Sequence, residues 1–449
     1  MIKNLCHLTR RVATGALGLV LSCTFVGAAT PKNVLVVSVT KGFRHDVIPA
    51  VDALMKELAG ESGKFTVDFA QTDQQLADKM TRAGLSQYDG VVFNNTSGDL
   101  PLPDRDGFLA WLKSGKGFVG LHAATDTLGG FPGYIDMIGA QFDTHHEQVE
   151  VEARIEDSKH PATAHFPPSF RIKDEIYLFK NFHREKVHGL LTMDKHPNFG
   201  QPGDYPIAWC KEYGQGRVIY SSLGHRPDVV QRADIRKHYL GAILWSLGLA
   251  EGNAKPQDPR LTLTGAEASA GFKPLFNGVD LTGWKLRNPT GKATWSAQNG
   301  MLVNTLAKDE HGTDLVTNDK FWNFTVRYDY MVPAGANSGF YLRGRHELQI
   351  LDDYNEGKPA TTGNASFYNF AAPSIFTSKP AGQWNSVEAT IVGNKITVIH
   401  NGVKIHDQLV VDRPTGGELD GNVNSPGSIF LQGDHGAVAF RNMRIRILP

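Results

Sequence analysis

The sequence predicts an open, mostly parallel α/β sheet followed by an all-β sandwich. Three observations carry that reading. Residues 33–249 alternate short β-branched apolar runs with helical patterns. Over residues 271–449 helix signals vanish and short runs of period two replace them. Residues 250–270 between them have the composition of a linker. A length of 449 residues suits such an arrangement at roughly 100–200 residues per domain.

In the first domain, residues 34–39 form the apolar run of a strand buried on both faces. A helical pattern at 47–58 leads to a strand at 65–69, a short helix at 75–80 and a strand at 88–93. A helix at 105–113 then precedes a strand at 117–122. An extended insertion is expected over 140–190, then a strand at 217–221 and a closing helix at 235–247. In the sandwich, alternation marks strands at 325–331, 338–342, 347–351, 387–392, 396–400, 428–431 and 438–447. Turns such as Gly393-Asn394 and Asn401-Gly402 separate them. No 20–50-residue repeat is visible, which disfavours solenoids and propellers.

Residues 1–29 read as a secretory signal peptide. Lys3, Arg10 and Arg11 precede an apolar stretch and the small residues Gly27-Ala28-Ala29. A periplasmic or secreted protein is therefore expected. Thr9-Arg10-Arg11 is a weak twin-arginine start, and Leu21-Ser22-Cys23 a poor lipoprotein box. Lys+Arg and Asp+Glu are both 46; losing the three basic residues of the leader leaves 43 against 46, about −3. Hydrophobic residues at 41% and charged residues at 20% fit a globular chain, with no nucleic-acid partner expected. No later segment is a candidate membrane span. Of three cysteines only Cys210 lies beyond residue 29, in an apolar run that suits a buried structural thiol.

Ligands of open parallel sheets bind beyond the carboxyl ends of the strands. There the first domain places His45, His122, Asp126 and His225, and His145-His146-Glu147 opens the insertion. His45, Asp126 and His225 are candidate substrate contacts. His122, His145 and His146 are candidate ligands of a divalent metal ion, though their spacing matches no zinc signature. Any one of these histidines alone would read as structural; four converging loops suggest a site.

In the second domain the informative stretch runs from Asn337 to Asp352. As two extended strands it puts Tyr341 and Arg343 on one face, with Glu347 and Gln349 also sharing a face, while Leu342, Leu348 and Ile350 turn inward. Such a face suits a sugar, with Tyr341 stacking, Asn337, Arg343 and Gln349 bonding hydroxyls, and Glu347 acting as base or metal ligand. Trp384 is a further candidate contact, and Asp434 and His435 are candidate acids or metal ligands. An ordinary solvated face with an Arg–Glu pair has the same pattern.

The pieces Thr40-Lys-Gly-Phe-Arg-His45, Phe118-Val-Gly-Leu-His-Ala123, Tyr205-Pro-Ile-Ala-Trp209, Tyr213-Gly-Gln-Gly-Arg-Val218 and Leu223-Gly-His-Arg226 resemble the ThuA-like, trehalose-utilisation family. The resemblance implies a fold similar to class I glutamine amidotransferases. In that superfamily a nucleophilic cysteine would occupy the elbow after the fourth strand. Here the elbow falls near His122 and Cys210 lies elsewhere, which argues against amidotransferase chemistry.

Phe276-Asn-Gly-Val-Asp-Leu-Thr-Gly-Trp284, Asn337-Ser-Gly-Phe-Tyr-Leu-Arg343, Glu347-Leu-Gln-Ile-Leu-Asp352, Trp384 and Leu431-Gln-Gly-Asp-His-Gly436 resemble the 3-keto-disaccharide hydrolase family. That resemblance implies a concanavalin-like sandwich and cleavage of glycosides already oxidised at carbon 3. The expected substrate is then a small keto-sugar, supplied by a sugar 3-oxidoreductase. A ketone at carbon 3 acidifies the carbon-2 proton, so the aglycone can leave by β-elimination before water adds. Such a site needs a base (Glu347 or His435), an enolate stabiliser (Arg343 or a divalent metal) and a proton donor. The alternative is a carbohydrate-binding sandwich that tethers a catalytic or ligand-binding ThuA-like domain.

Overall fold

The computed structural model describes residues 30–307 and 310–449; the expected signal peptide lies outside them. The first domain contains eleven strands: β1 (Lys32–Val37), β2 (Phe65–Ala70), β3 (Gly90–Asn94), β4 (Gly117–Leu121), β5 (Gln141–Thr144), β6 (Val149–Ile155), β7 (Ser169–Asp174), β8 (Leu178–Lys180), β9 (His188–Lys195), β10 (Pro202–Tyr213) and β11 (Gly216–Ser221). Nine of them form one sheet, ordered β2-β1-β3-β4-β11-β10-β9-β6-β7.

The β2-to-β11 half is parallel. The other half, β11 through β7, is antiparallel. The sheet is thus mixed rather than mostly parallel. The reason is the insertion: β6 and β7 return as a hairpin that docks on β9, and a hairpin needs no crossover helix. Period-two patterning does not distinguish the two directions.

Helices cover the parallel half. Helix Ile48–Ser62 buries Val51, Leu54, Met55 and Leu58 and ends at Gly63, whose φ of 61° suits glycine. Thr72 and Asp104 cap the next helices by accepting from the Gln75 and Gly107 amides. Helix Ala233–Ser246 closes the domain and buries Ile235, Tyr239, Ile243 and Trp245. Cys210 is fully buried, as its run implies.

The second domain has two antiparallel sheets. One follows the order Trp295–Gln298, Met301–Asn304, Val438–Ile447, Phe324–Met331, Asn385–Val392, Lys395–His400, Val403–Val410. The other is Trp284–Leu286, Leu315–Thr317, Phe430–Leu431, Asn337–Leu342, His346–Leu351. The core between them includes Phe324, Val326, Tyr328, Phe340, Leu342, Leu348, Ile350 and Phe440. Several short strands before residue 324 carry too little alternation to be read from sequence. Part of the expected linker is a helix, Gly265–Ser269, closed by a capping box between Thr264 and Glu267. Glu267 also binds Arg444, which fastens the linker's end to the sandwich.

The two domains meet through a few polar contacts. Asn299 Nδ2 donates to Glu156 Oε1 at 2.9 Å, and Gln298 Oε1 accepts from the Asp204 amide at 3.1 Å. Trp384 Nε1 donates to Asp194 Oδ2 at 2.6 Å, and Lys195 Nζ to the Gly382 carbonyl at 3.0 Å. No helix among the described residues is long and apolar enough to cross a membrane.

Candidate active site and histidine cluster

The sandwich carries a cleft of about 200 Å³ lined by residues that include Asn337, Tyr341, Glu347, Gln349, Gln432 and His435. It is built from one strand pair. Tyr341 lies opposite Glu347 and Gly339 opposite Gln349, so alternation puts Asn337, Tyr341, Glu347 and Gln349 on the same face. Gly339 leaves the space that the carboxylate fills, since a Cβ there would lie 2.2 Å from Glu347 Oε1. Glu347 is only 3% exposed. Burial pushes its carboxyl from an ordinary 4.5 up to about 7, against the opposing effects of the Tyr341 hydroxyl and His435. A carboxylate poised there can take or give a proton near neutral pH.

His435 Nδ1 pairs with the neighbouring Asp434 carboxylate. Their loop is held from beneath: Asn304 Nδ2 donates to the Gly433 and Gly436 carbonyls at 3.1 and 3.0 Å, and Asp314 Oδ1 accepts from the Gly433 amide at 3.0 Å. Asn337 Oδ1 and Gln432 Oε1 are buried without a protein partner. Two unpaired acceptors in a cleft suit hydroxyl groups of a ligand.

Two expected contacts lie elsewhere. Arg343 follows the strand and turns at φ 54°, with Gly344 at 67°. This tight turn ends the alternation, so Arg343 does not share the face of Tyr341. Its guanidinium donates to the Trp322 and Gly393 carbonyls, both at 2.7 Å, and lies 3.6 Å over the Trp322 ring. It does not line the cleft and cannot stabilise an enolate there. Trp384 faces the other domain, bonded to Asp194 and covered by the Arg441 guanidinium at 3.9 Å.

In the first domain the strand-end loops do converge. His45, His122, Glu175 and His225 present ligand-type atoms all within 4.8 Å of one another. His122 opens the turn after β4 at φ 47°, the elbow position of the sequence reading. Its Nδ1 donates to the Ser222 carbonyl at 2.7 Å, which turns Nε2 toward the cluster. Asp174 accepts from the Gly224 amide at 2.7 Å and so holds the loop that carries His225. Burial pushes His45 down to about 3, helped by His122 and His225. Burial alone would raise the Glu175 carboxyl, yet its interactions with the neighbouring His122 and His225 rings hold it well below the usual range.

The expected trio is thus not what assembles. His145 remains at the edge, exposed, with Nδ1 3.3 Å from Glu175 Oε1. His146 packs on His196 and Phe199 instead, with ring centroids at 5.5 and 4.8 Å. Asp126 ends the His122–Asp126 turn half-buried and outside the group, with burial raising its carboxyl. Sequence reasoning missed Glu175. The signal present was Asp174-Glu175 at the end of a strand in the insertion, and an acidic pair there reads equally as surface.

These features describe a two-domain protein with one cleft suited to acid–base chemistry on hydroxylated ligands and one histidine-rich centre. Residues 33–246 match the family model described as trehalose utilisation, ThuA. Residues 271–446 match that of the 3-keto-alpha-glucoside-1,2-lyase-like domain. A 3-keto-disaccharide hydrolase of Bacteroides thetaiotaomicron is 30% identical over 234 residues, covering 40% of this chain and 79% of that one. A solved structure from Parabacteroides distasonis, described as a glycosyl hydrolase, is 26% identical with a TM-score of 0.35, covering 42% of this chain and 99% of that one. One from Parabacteroides merdae, described as ThuA-like, is 18% identical with a TM-score of 0.43, covering 51% and 98%. The chain belongs to the 3-keto-disaccharide hydrolase family and carries a ThuA domain in the same polypeptide.

Proposed function

We propose that this carbohydrate hydrolase cleaves 3-keto-glycosides in the sandwich cleft by elimination and hydration. The observation that carries the reading is Glu347, a buried carboxyl pushed up to about 7 beside Tyr341 and within reach of open solvent in the cleft. The family matches support the substrate class.

In this scheme Glu347 removes the proton from carbon 2, which the neighbouring ketone acidifies. The electron pair forms the carbon 1–carbon 2 double bond, and the bond from carbon 1 to the aglycone oxygen breaks. His435, oriented by Asp434, supplies the proton that the departing oxygen takes. Water then adds across the double bond, hydroxyl to carbon 1 and proton to carbon 2, and the net reaction is hydrolysis. Gln349, with the unpaired oxygens of Asn337 and Gln432, holds the sugar hydroxyls. Such a route needs no oxocarbenium ion and no spaced carboxylate pair.

We read the sandwich as concanavalin-like and the first domain as class I glutamine amidotransferase-like. The leader read in residues 1–29 would send the chain to the periplasm or beyond, where a sugar 3-oxidoreductase would supply the substrate. The test is the full chain with a 3-keto-glycoside such as 3-keto-trehalose in deuterated water. The expected result is sugar release with deuterium at carbon 2, falling at least about 100-fold in Glu347→Gln. Release without deuterium, or an unchanged rate in the variant, overturns the reading.

A further inference from the structure

Four donor side chains in the first domain lack a common acceptor of their lone pairs. Because His122 Nδ1 is committed to the Ser222 carbonyl at 2.7 Å, its Nε2 carries a lone pair in the neutral ring. That lone pair faces Glu175 Oε2 at 3.4 Å and His225 Nδ1 at 3.3 Å, and His225 Nδ1 lies 3.2 Å from the same carboxylate oxygen. His45 stands edge-on to both rings, at centroid distances of 4.8 and 5.2 Å, and its Nδ1 is buried without a partner. A single proton could satisfy one of these pairs. It cannot serve four donors that converge on one point.

A metal ion can. A tetrahedral centre with bonds of about 2.05 Å separates its donors by roughly 3.3 Å; the separations among His122, Glu175 and His225 are 3.2, 3.3 and 3.4 Å, and His45 completes a group that lies within 4.8 Å. The surroundings suit a ligand set as well. His122 has its second nitrogen anchored on a backbone carbonyl, which fixes the tautomer. Asp174 fixes the Gly224-His225 loop. The side facing Glu175 opens into a cleft bordered by His145, Glu147 and Phe199, so a small molecule can reach a bound ion from there as a fifth ligand, unlike in a sealed structural site.

We propose that the first domain holds one divalent transition-metal ion through His122, His225, Glu175 and His45. Three imidazoles and one carboxylate favour zinc and its first-row neighbours over calcium and magnesium, which prefer all-oxygen sets. This site is independent of the sandwich cleft, and its failure would leave the reading of Glu347 untouched.

The experiment uses the full chain, stripped with a chelator and dialysed. Titration with zinc alone is expected to show one equivalent bound, with magnesium and calcium failing to compete. Cobalt(II) in its place is expected to give the visible absorption of a low-coordinate nitrogen–oxygen site. His225→Ala and Glu175→Gln are each expected to weaken zinc binding at least about 100-fold, with far-ultraviolet circular dichroism unchanged. Absence of zinc uptake and of a cobalt spectrum in the wild-type chain overturns the proposal whatever the variants do. So does full-strength binding in both folded variants.

Discussion

Gly339 and Glu347 occupy neighbouring strands so closely that the glycine's missing side chain is the carboxylate's space: a Cβ at 339 would stand 2.2 Å from Glu347 Oε1. Gly339→Ala should therefore displace the carboxylate before it disturbs the sheet. A loss of about 10–100-fold in kcat is expected, with about 1–3 kcal/mol of stability from overpacking. Steady-state kinetics and denaturant unfolding on the same preparation separate the two; a variant with wild-type kcat would show that the carboxylate's position is immaterial.

The pH profile follows from Glu347. Acting as base it must be ionised, so kcat/KM should rise with pH along a limb centred near 7. The Tyr341 hydroxyl favours the ionised form, so Tyr341→Phe should move that limb to higher pH. For stability the sign is opposite: a carboxyl raised from 4.5 to about 7 favours the folded state most below 4.5, and this contribution fades as pH rises through 7. Glu347→Gln should remove that slope from melting curves taken between pH 4 and 8.

Arg343 should prove structural. Its buried guanidinium supports the Trp322 and Gly393 carbonyls, and Arg343→Ala orphans both. A destabilisation of about 2–4 kcal/mol is expected, with KM and kcat within about threefold of wild type at a temperature where the variant remains folded. A hundredfold fall in kcat with normal stability would return this residue to the reaction.

Trp384 joins the two domains. Trp384→Ala removes the bond to Asp194 and uncovers Arg441. Scanning calorimetry of the full chain should then show the two domains melting at more widely separated temperatures than in wild type, because few contacts cross the seam. An unchanged thermogram would mean that Asn299 and Gln298 suffice.

Much of this was legible in the residues themselves. Buried parallel strands announce themselves as apolar runs, and strand ends point to His45, His122 and His225. The Tyr341–Glu347 face followed from alternation alone. Arg343 did not, because a left-handed turn at 343–344 interrupts the period at the residue where it was extrapolated. Glu175 and Gln432 escaped notice because both sit just past a strand and meet residues far away along the chain, Glu175 the His122 and His225 rings and Gln432, through its carbonyl, the Ser338 hydroxyl. Gly339 reads in sequence as a weak point in a strand and in the structure as a requirement.

His122 has a thermodynamic consequence. A non-glycine residue held at φ 47° costs about 1–3 kcal/mol of backbone strain. His122→Gly relieves the strain only by giving up the bond to the Ser222 carbonyl and one of the four cluster side chains, so in the native domain the strain weighs against the folded form. Any ligand captured by the histidines acts in the opposite direction, because what binds only the folded form raises the melting point. Occupancy of the cluster and resistance to heat are then two views of a single equilibrium, and a thermal shift reports the first without an assay.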